Sequence, residues 1–523
     1  MFWPGRASIP AIDRDESRYM QATAQMLETG NYVDVRFQDQ PRYLQPAGIY
    51  WLEAAAVAIA GHPSEPWPYR IPSLIGATGA VLLTAWIGST LFGATAGLTA
   101  GLLMATSLLL GAEARMAKID ATLLAAILVA QASLLRLYID PAAKRRWAAL
   151  HWAVLGAGLM LKGPLVLLVS WGTIAALVAT ERRAAWLARL HWRWGVPIML
   201  GIVLPWCIAI GVASGGDFFS KSVGDNFLGK VATGQQAHGG PPGYYLATFA
   251  VGFWPGSLFA LLAIPFAWAQ RRTPATRFLL CWIVPTWLVF EAVATKLPHY
   301  VLPTYPAIAC LTAAALLAPW PAGRTWRWLG RIYGAIWLLV GLGLAIAGPV
   351  ALWVLERQIG WLAIGASLVG AGLMAAAGRA AWRMQPRPAL ALSMAAAAAL
   401  FASTYALVLP RLETIWIAPR LAAAIAAIRP CPISTVASAS FSEPSLIFSL
   451  GRATRLLGAP MAADWLGNNR ACGLAVVGDR EYPAFQARAQ ILGLAPHALT
   501  TVDGLDYTTG RRVHLVVYAA AGP

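Results

Sequence analysis

Charge is scarce in this chain. Only 12% of its 523 residues are Asp, Glu, Lys or Arg, whereas 58% are hydrophobic. That balance excludes an ordinary soluble domain, whose charged share is about 25%. Cysteine is scarce as well, and none of the five has the spacing of zinc ligands. No glycine-rich phosphate cradle follows a strand ahead of the apolar region, so the sequence asks for no nucleotide site. The opening stretch, MFWPGRASIPAIDRDE, has neither a charged region followed by an apolar core nor a full span, so it does not read as a secretory signal.

What the chain has instead is a series of apolar runs, each long enough to cross a bilayer as a helix. Twelve spans are predicted near 71–91, 96–113, 121–138, 148–161, 164–180, 196–213, 246–268, 277–294, 301–318, 334–354, 359–377 and 388–408. Every second connection is basic: Lys144, Arg145 and Arg146; Arg182, Arg183, Arg189 and Arg193; Arg271, Arg272 and Arg277; Arg324, Arg327 and Arg331; Arg379, Arg383 and Arg387. The alternate connections hold fewer than half as many, so the basic loops are expected in the cytoplasm and the others on the periplasmic side. The formal charge of +17 is spread over these loops rather than gathered on one domain. Topology and anionic headgroups account for it better than nucleic acid does.

An even number of spans puts both ends outside: residues 1–70, with amphipathic and interfacial helices, and the tail 413–523. The expectation is that one further transmembrane helix precedes Met1. Beyond about 430, β-rich runs such as GLAVVG and RRVHLVVYAA alternate with short helical patterns, which predicts a small periplasmic α/β domain. Cys207, Cys281 and Cys310 fall in spans and read as packing residues. Cys431 and Cys472 fall in the outer domain. An oxidising compartment permits their disulfide, while spacing alone leaves it open against two free thiols.

Candidate chemistry lies in the outer connections. Asp13, Arg14, Asp15, Glu16 and Arg18 open an amphipathic helical run. Its acids either complement the positive helix start or act as a base or sugar-orienting pair. Tyr43, Tyr50 and Trp51 suit an interfacial helix, and EARMAKID brings Glu113, Arg115, Lys118 and Asp120 between two spans. The long loop 215–245 carries Asp217, Lys221, Asp225, Asn226, Lys230, Gln236 and His238, and ATKLPHYVLP sets Lys296, His299 and Tyr300 at a span boundary.

In this order the pieces DRDESRY, MLETGNYVDVRF, QPAGIYWL, ARMAKIDATL, LKGP, HGGPPGYY, FWPGS and KLPHYVLP resemble the bacterial protein O-mannosyltransferase-like glycosyltransferases of family 39, which include the aminoarabinose transferases that modify lipid A. The resemblance implies a polytopic α-helical membrane protein of C-type glycosyltransferase fold in the inner membrane. It implies transfer of a sugar from a polyprenyl-phosphate donor to lipid A or another envelope glycan or protein. It carries the catalytic carboxylates onto Asp15, Glu16 and Asp120, and substrate or donor-phosphate contacts onto Lys230, His238, Lys296 and Tyr300; Arg18 and Arg115 join these as cations available to the leaving phosphate. A divalent metal is left open, with His238 as its candidate ligand. One departure stands out: where members commonly carry Lys, often after another polar residue, this chain has Leu44 and Gln45, with Arg42 close by. The competing reading is a transporter or flippase, for which Lys162 and Glu291 would mark the route.

Overall fold

The computed structural model describes residues 1–222, 224, 240–318 and 323–520. Eight of its helices are long and apolar enough to cross a membrane, from Pro66–Phe92 to Pro386–Arg411. Shorter apolar helices, Ala94–Thr106 and Leu165–Glu181 among them, pack between these. The chain is a multi-span helical membrane protein with a mixed α/β region at its C-terminal end.

Two of the twelve sequence-predicted spans are broken. The 96–113 run divides at Ser107 into Ala94–Thr106 and Leu108–Glu113. The 246–268 run divides into Tyr244–Gly252, Ser257–Leu262 and Ile264–Ala269. A break inside a bilayer strands backbone groups, and it persists only where other elements satisfy them. Here the two breaks meet: the Leu108 N–H donates to the Trp254 carbonyl at 3.1 Å and Ser107 Oγ to the Gly252 carbonyl at 3.0 Å. Trp254 and Trp337 lock the second break further, Trp254 Nε1 donating to the Trp337 carbonyl and Trp337 Nε1 to the Pro255 carbonyl.

Ahead of the spans, the amphipathic helix Asp15–Thr29 ends at Gly30, whose φ of 68° lets its N–H turn back to the Met26 carbonyl. Helix Gly48–Ala60 packs beside it, and the buried Thr23 hydroxyl donates to Glu53 at 2.7 Å. Burial pushes the Glu53 carboxyl up to about 8. Helix Ile71–Phe92 lies close enough to helix Asp120–Ile139 that a Cβ on Gly76 would stand 2.6 Å from Thr122 Cα. That close approach fixes where the second helix, and hence Asp120, begins.

The C-terminal sheet has five strands in the order Arg455–Leu456, Thr435–Ser438, Gly473–Gly478, Arg511–Ala519, His497–Asp506. The first three are parallel and the last two antiparallel. Strand Gly473–Gly478 is buried along its whole length, as a central strand covered on both faces must be. Cys431 and Cys472 are joined as a disulfide with Cα atoms 5.4 Å apart. This region rests on the N-terminal segment through Arg455–Asp39 (2.6 Å) and Arg452–Glu28 (3.2 Å), and through Tyr69 against the ring of Phe448.

Candidate active site

Helix Asp15–Thr29 starts abruptly. Arg14 holds φ 67° and ψ −103°, a conformation L side chains rarely adopt, so the backbone turns sharply before the first helical residue. Contacts from the C-terminal region fix that turn. The Asp13 N–H donates to Tyr507 Oη at 2.6 Å, the Ser445 N–H to Asp13 Oδ1 at 3.2 Å, and Arg14 Nη2 to the Thr508 carbonyl at 3.3 Å. Burial raises the Asp13 carboxyl to about 6, with Glu443 adding to the rise against hydrogen bonds from Ser445.

The two adjacent acids have opposite fates. Asp15 is exposed, and its charge acts on Arg18, Arg42, Lys118 and Tyr300, so these four residues gather around it and outline a chamber. Glu16 is 1% exposed and accepts four hydrogen bonds, from Arg70 Nε (2.8 Å) and Nη2 (3.0 Å) and from the Ile12 and Ala117 N–H groups. Both oxygens of the carboxylate are thus occupied by donors of the protein itself. Glu16, expected as a catalytic acid, stands instead as the group that ties helix Asp15–Thr29 to the loop before Asp120.

Asp120 is the first residue of its helix, and Lys162 is the last of helix Arg145–Lys162, which stops at Gly163 with φ 63°. Lys162 Nζ reaches Asp120 Oδ1 at 2.6 Å. Lys118 Nζ stands 3.6 Å from Asp120 Oδ2 and 3.1 Å from Glu113 Oε1. Burial pulls Lys118 down, but Glu113 and Asp120 more than offset this and hold it above its ordinary value. His299 lies 3.8 Å from both carboxylates, and the Tyr300 ring lies 5.8 Å from Lys162 Nζ. Glu113, Asp120 and His299 thus have metal-ligand spacing. The set nevertheless does not fit a resident divalent ion. Two ammonium groups already balance the two carboxylates, and a dication added to that enclosed neutral cluster would carry its charge uncompensated.

Two further arginines line the chamber. Arg18 lies three residues beyond Asp15 on the same helix face. Burial lowers its guanidinium from the ordinary value, and the neighbouring Arg42 lowers it further. Arg42 donates through Nε to Tyr50 Oη at 2.9 Å and packs 5.1 Å from the Tyr19 ring centre. Its two terminal nitrogens take no hydrogen bond among the described residues. Gln45 donates to the hydroxyls of Tyr19 and Tyr50, so it braces the same cage while Arg42 supplies the charge. Leu44 is exposed.

Arg115 and Lys296 are both buried and engaged by the backbone. Arg115 is 2% exposed, donates through Nε to the Pro4 carbonyl at 2.9 Å and to the carbonyls of Met1 and Gly111, and lies 3.8 Å from the Tyr405 ring centre. Three of its five N–H donors are thus turned to backbone carbonyls. Buried Lys296 donates to the Glu291 carbonyl, and the Gly243 N–H donates to the Glu291 carboxylate, so this pair anchors the chain that re-enters after the long loop. Lys230 and His238 lie outside the described residues. Sequence reading missed Arg70, whose five N–H groups all find partners: Glu16 twice, and the carbonyls of Arg6, Ile9 and Pro10. Its only signal is an Arg at the mouth of the first span.

Residues 11–214 match the family described as dolichyl-phosphate-mannose-protein mannosyltransferase (PMT). The undecaprenyl phosphate-alpha-4-amino-4-deoxy-L-arabinose arabinosyl transferase of Pectobacterium carotovorum subsp. carotovorum (strain PC1) is 26% identical over 348 residues, which are 64% of this chain and 62% of that protein. The protein of the same name from Pseudomonas paraeruginosa (strain DSM 24068 / PA7) is 27% identical over 380 residues, 71% of this chain and 67% of its own length. The chain thus spans 62% of the length of the Pectobacterium protein. The crystal structure of ArnT from Cupriavidus metallidurans bound to undecaprenyl phosphate superposes with a TM-score of 0.78 at 19% identity, covering 99% of this chain and 96% of that one. A likeness at that identity is one of fold. Residues 11–214 are thus similar to the dolichyl-phosphate-mannose-protein mannosyltransferase family, and the chain as a whole has the fold of ArnT.

Proposed function

We propose that this protein transfers a sugar from a polyprenyl-phosphate donor to an acceptor at the periplasmic face of the inner membrane, with lipid A the first acceptor to test. The observation that carries this reading is the chamber: one exposed carboxylate, Asp15, faces two guanidinium groups and an ammonium group. In the reaction the acceptor oxygen bonds to the anomeric carbon as the bond from that carbon to the phosphate oxygen breaks. The polyprenyl phosphate leaves with the electron pair, and attack from the opposite side inverts the centre. An acceptor hydroxyl gives its proton to Asp15; an acceptor phosphate is already ionised, and Asp15 then only orients it.

Arg42 and Arg18 are placed to hold the departing phosphate, and Arg42 takes the part of the lysine that family members commonly carry near Gln45. Asp120, neutralised by Lys162 and Lys118, holds these cations beside the chamber. The α/β region caps the site and sets the turn at Arg14.

The test is transfer of a labelled sugar from polyprenyl phosphate by purified protein, wild type against Asp15→Asn. Asp15→Asn is expected to slow transfer by about 10²–10⁴-fold if the acceptor is a hydroxyl. Undiminished transfer by the variant would remove Asp15 from the chemistry. Solute or lipid transport by wild type with no transfer from any donor would overturn the reading as a whole.

A further inference from the structure

We infer that the end of the molecule remote from the chamber carries a binding site for an anionic glycerophospholipid. Arg327 and Arg331 hold its phosphate, and the cavity behind them takes an acyl chain.

Helix Arg324–Ala351 fixes the location. Just beyond its far end, Glu356 accepts a hydrogen bond from the Thr414 N–H, beside the α/β region that also covers Asp13. At about 1.5 Å per residue, the Arg324 end lies roughly 40 Å away, at the opposite membrane boundary. There a cavity of about 330 Å³ opens between this helix, helix Trp361–Trp382 and the broken segment Ser257–Ala269. Leu258, Leu262 and Leu338 give it apolar walls, and Gly330 and Gly378 leave the space that larger residues would fill. An empty apolar cavity open to a bilayer is a place for a hydrocarbon chain, not for water.

The rim supplies the specificity. Arg327 and Arg331 are one helical turn apart and both exposed, so they share a face. Arg331 stacks over Trp382 at 4.8 Å, which holds its guanidinium plane at the rim. Neither arginine has an ion pair or side-chain hydrogen bond to another described residue. The sequence shows why: no Asp or Glu occurs between Glu291 and Glu356, or between Glu356 and Glu413. Glu181, an acid at the same boundary, is taken by Arg277 and Tyr138. Two unbalanced guanidinium groups over an apolar cleft match the chemistry of a lipid with one net negative phosphate. A zwitterionic lipid brings its own ammonium group to the same phosphate and matches it less well.

The experiment is native mass spectrometry of the full chain released from bilayers of equal phosphatidylglycerol and phosphatidylethanolamine. Wild type is expected to retain phosphatidylglycerol over phosphatidylethanolamine by about five-fold or more. Arg327→Gln/Arg331→Gln is expected to lose that preference, and Arg327→Lys/Arg331→Lys to keep it, which separates lost charge from lost fold. Gly334→Leu, which puts a side chain into the cavity, should lower retention of the lipid with the arginines intact. Equal retention of the two lipids by wild type would overturn the inference, as would an unchanged preference in the Gln variant. Displacement of the retained lipid by equimolar polyprenyl phosphate would also overturn it, by assigning the site to the donor lipid.

Discussion

Glu16→Gln offers the sharpest test of how the chamber is held. Glu16 and Arg70 are both fully buried, and the carboxylate is met by donors on both oxygens. An amide can keep only one oxygen, so its nitrogen must face either Arg70 Nε with the Ala117 N–H or Arg70 Nη2 with the Ile12 N–H. Two donors then meet a donor. Each unmade buried bond costs about 1–3 kcal/mol, and breaking a buried ion pair from one side costs about 3–5 kcal/mol. The loss falls on residues 6–17 and on the loop before Asp120, where the partners lie. Hydrogen exchange in that stretch should rise by about two orders of magnitude or more. The thermal midpoint, read by a thiol dye at buried Cys281 and Cys310, should fall. Transfer should drop through kcat, because Asp15 is displaced while Arg42 still holds the donor. Adding Arg70→Gln removes the orphaned charge and should restore part of the exchange protection and of the activity. A Glu16→Gln protein with wild-type protection and midpoint would refute the argument. A double variant with native protection but no activity would return Glu16 to the chemistry.

Three further outcomes follow from the site and its supports. Arg42→Gln should raise the donor KM about ten-fold or more with kcat within a few-fold, since a hydrogen bond to a charged group is worth about 1.5–3 kcal/mol; an unchanged KM would place the phosphate elsewhere. Asp13 binds its proton more tightly when folded, with a value of about 6 against 3.8 for the free group. Its contribution to stability is therefore full below about pH 4 and is lost as pH rises through about 6. Thermal midpoints taken from pH 4 to 7.5 should show that decline, and Asp13→Asn should flatten it; a variant with the wild-type slope would exclude Asp13 as the source. Replacing Cys431 and Cys472 by Ser opens a loop closed over 41 residues and should lower the stability of the α/β region by about 3–4 kcal/mol, seen as earlier proteolysis there; equal protease resistance would show that packing alone holds it.

The spans were legible because a bilayer imposes a length and a polarity that few other environments do. Their breaks at Ser107 and around Trp254 were not, since each is tolerated only because the other satisfies it across 145 residues of sequence. The same limit governs the site. Asp15 and Glu16 are adjacent acids in one helical turn, and nothing local separates them; what does is Arg70, 54 positions on. Arg115 read as a phosphate ligand because a lone cation between spans looks available; nothing in the sequence signals that three of its donors meet the carbonyls of Met1, Pro4 and Gly111. Lys162 entered the sequence reading only as a marker for the competing transporter; its place 2.6 Å from Asp120, 42 positions back, was not legible. The departure at Gln45 was visible at once, yet the cage of Tyr19 and Tyr50 that holds Arg42, its proposed substitute, brings together residues of two helices.

The hydrogen bond from Asp13 to Tyr507 joins positions 494 apart. A ribosome that has made the first two hundred residues has supplied both Asp15 and Asp120, yet the contacts that fix the turn before Asp15 wait for the last strands to be synthesised and folded. Under the proposed function, an unfinished chain would hold its carboxylates without the contacts that aim them, and transfer would wait until the final segment has closed on the first.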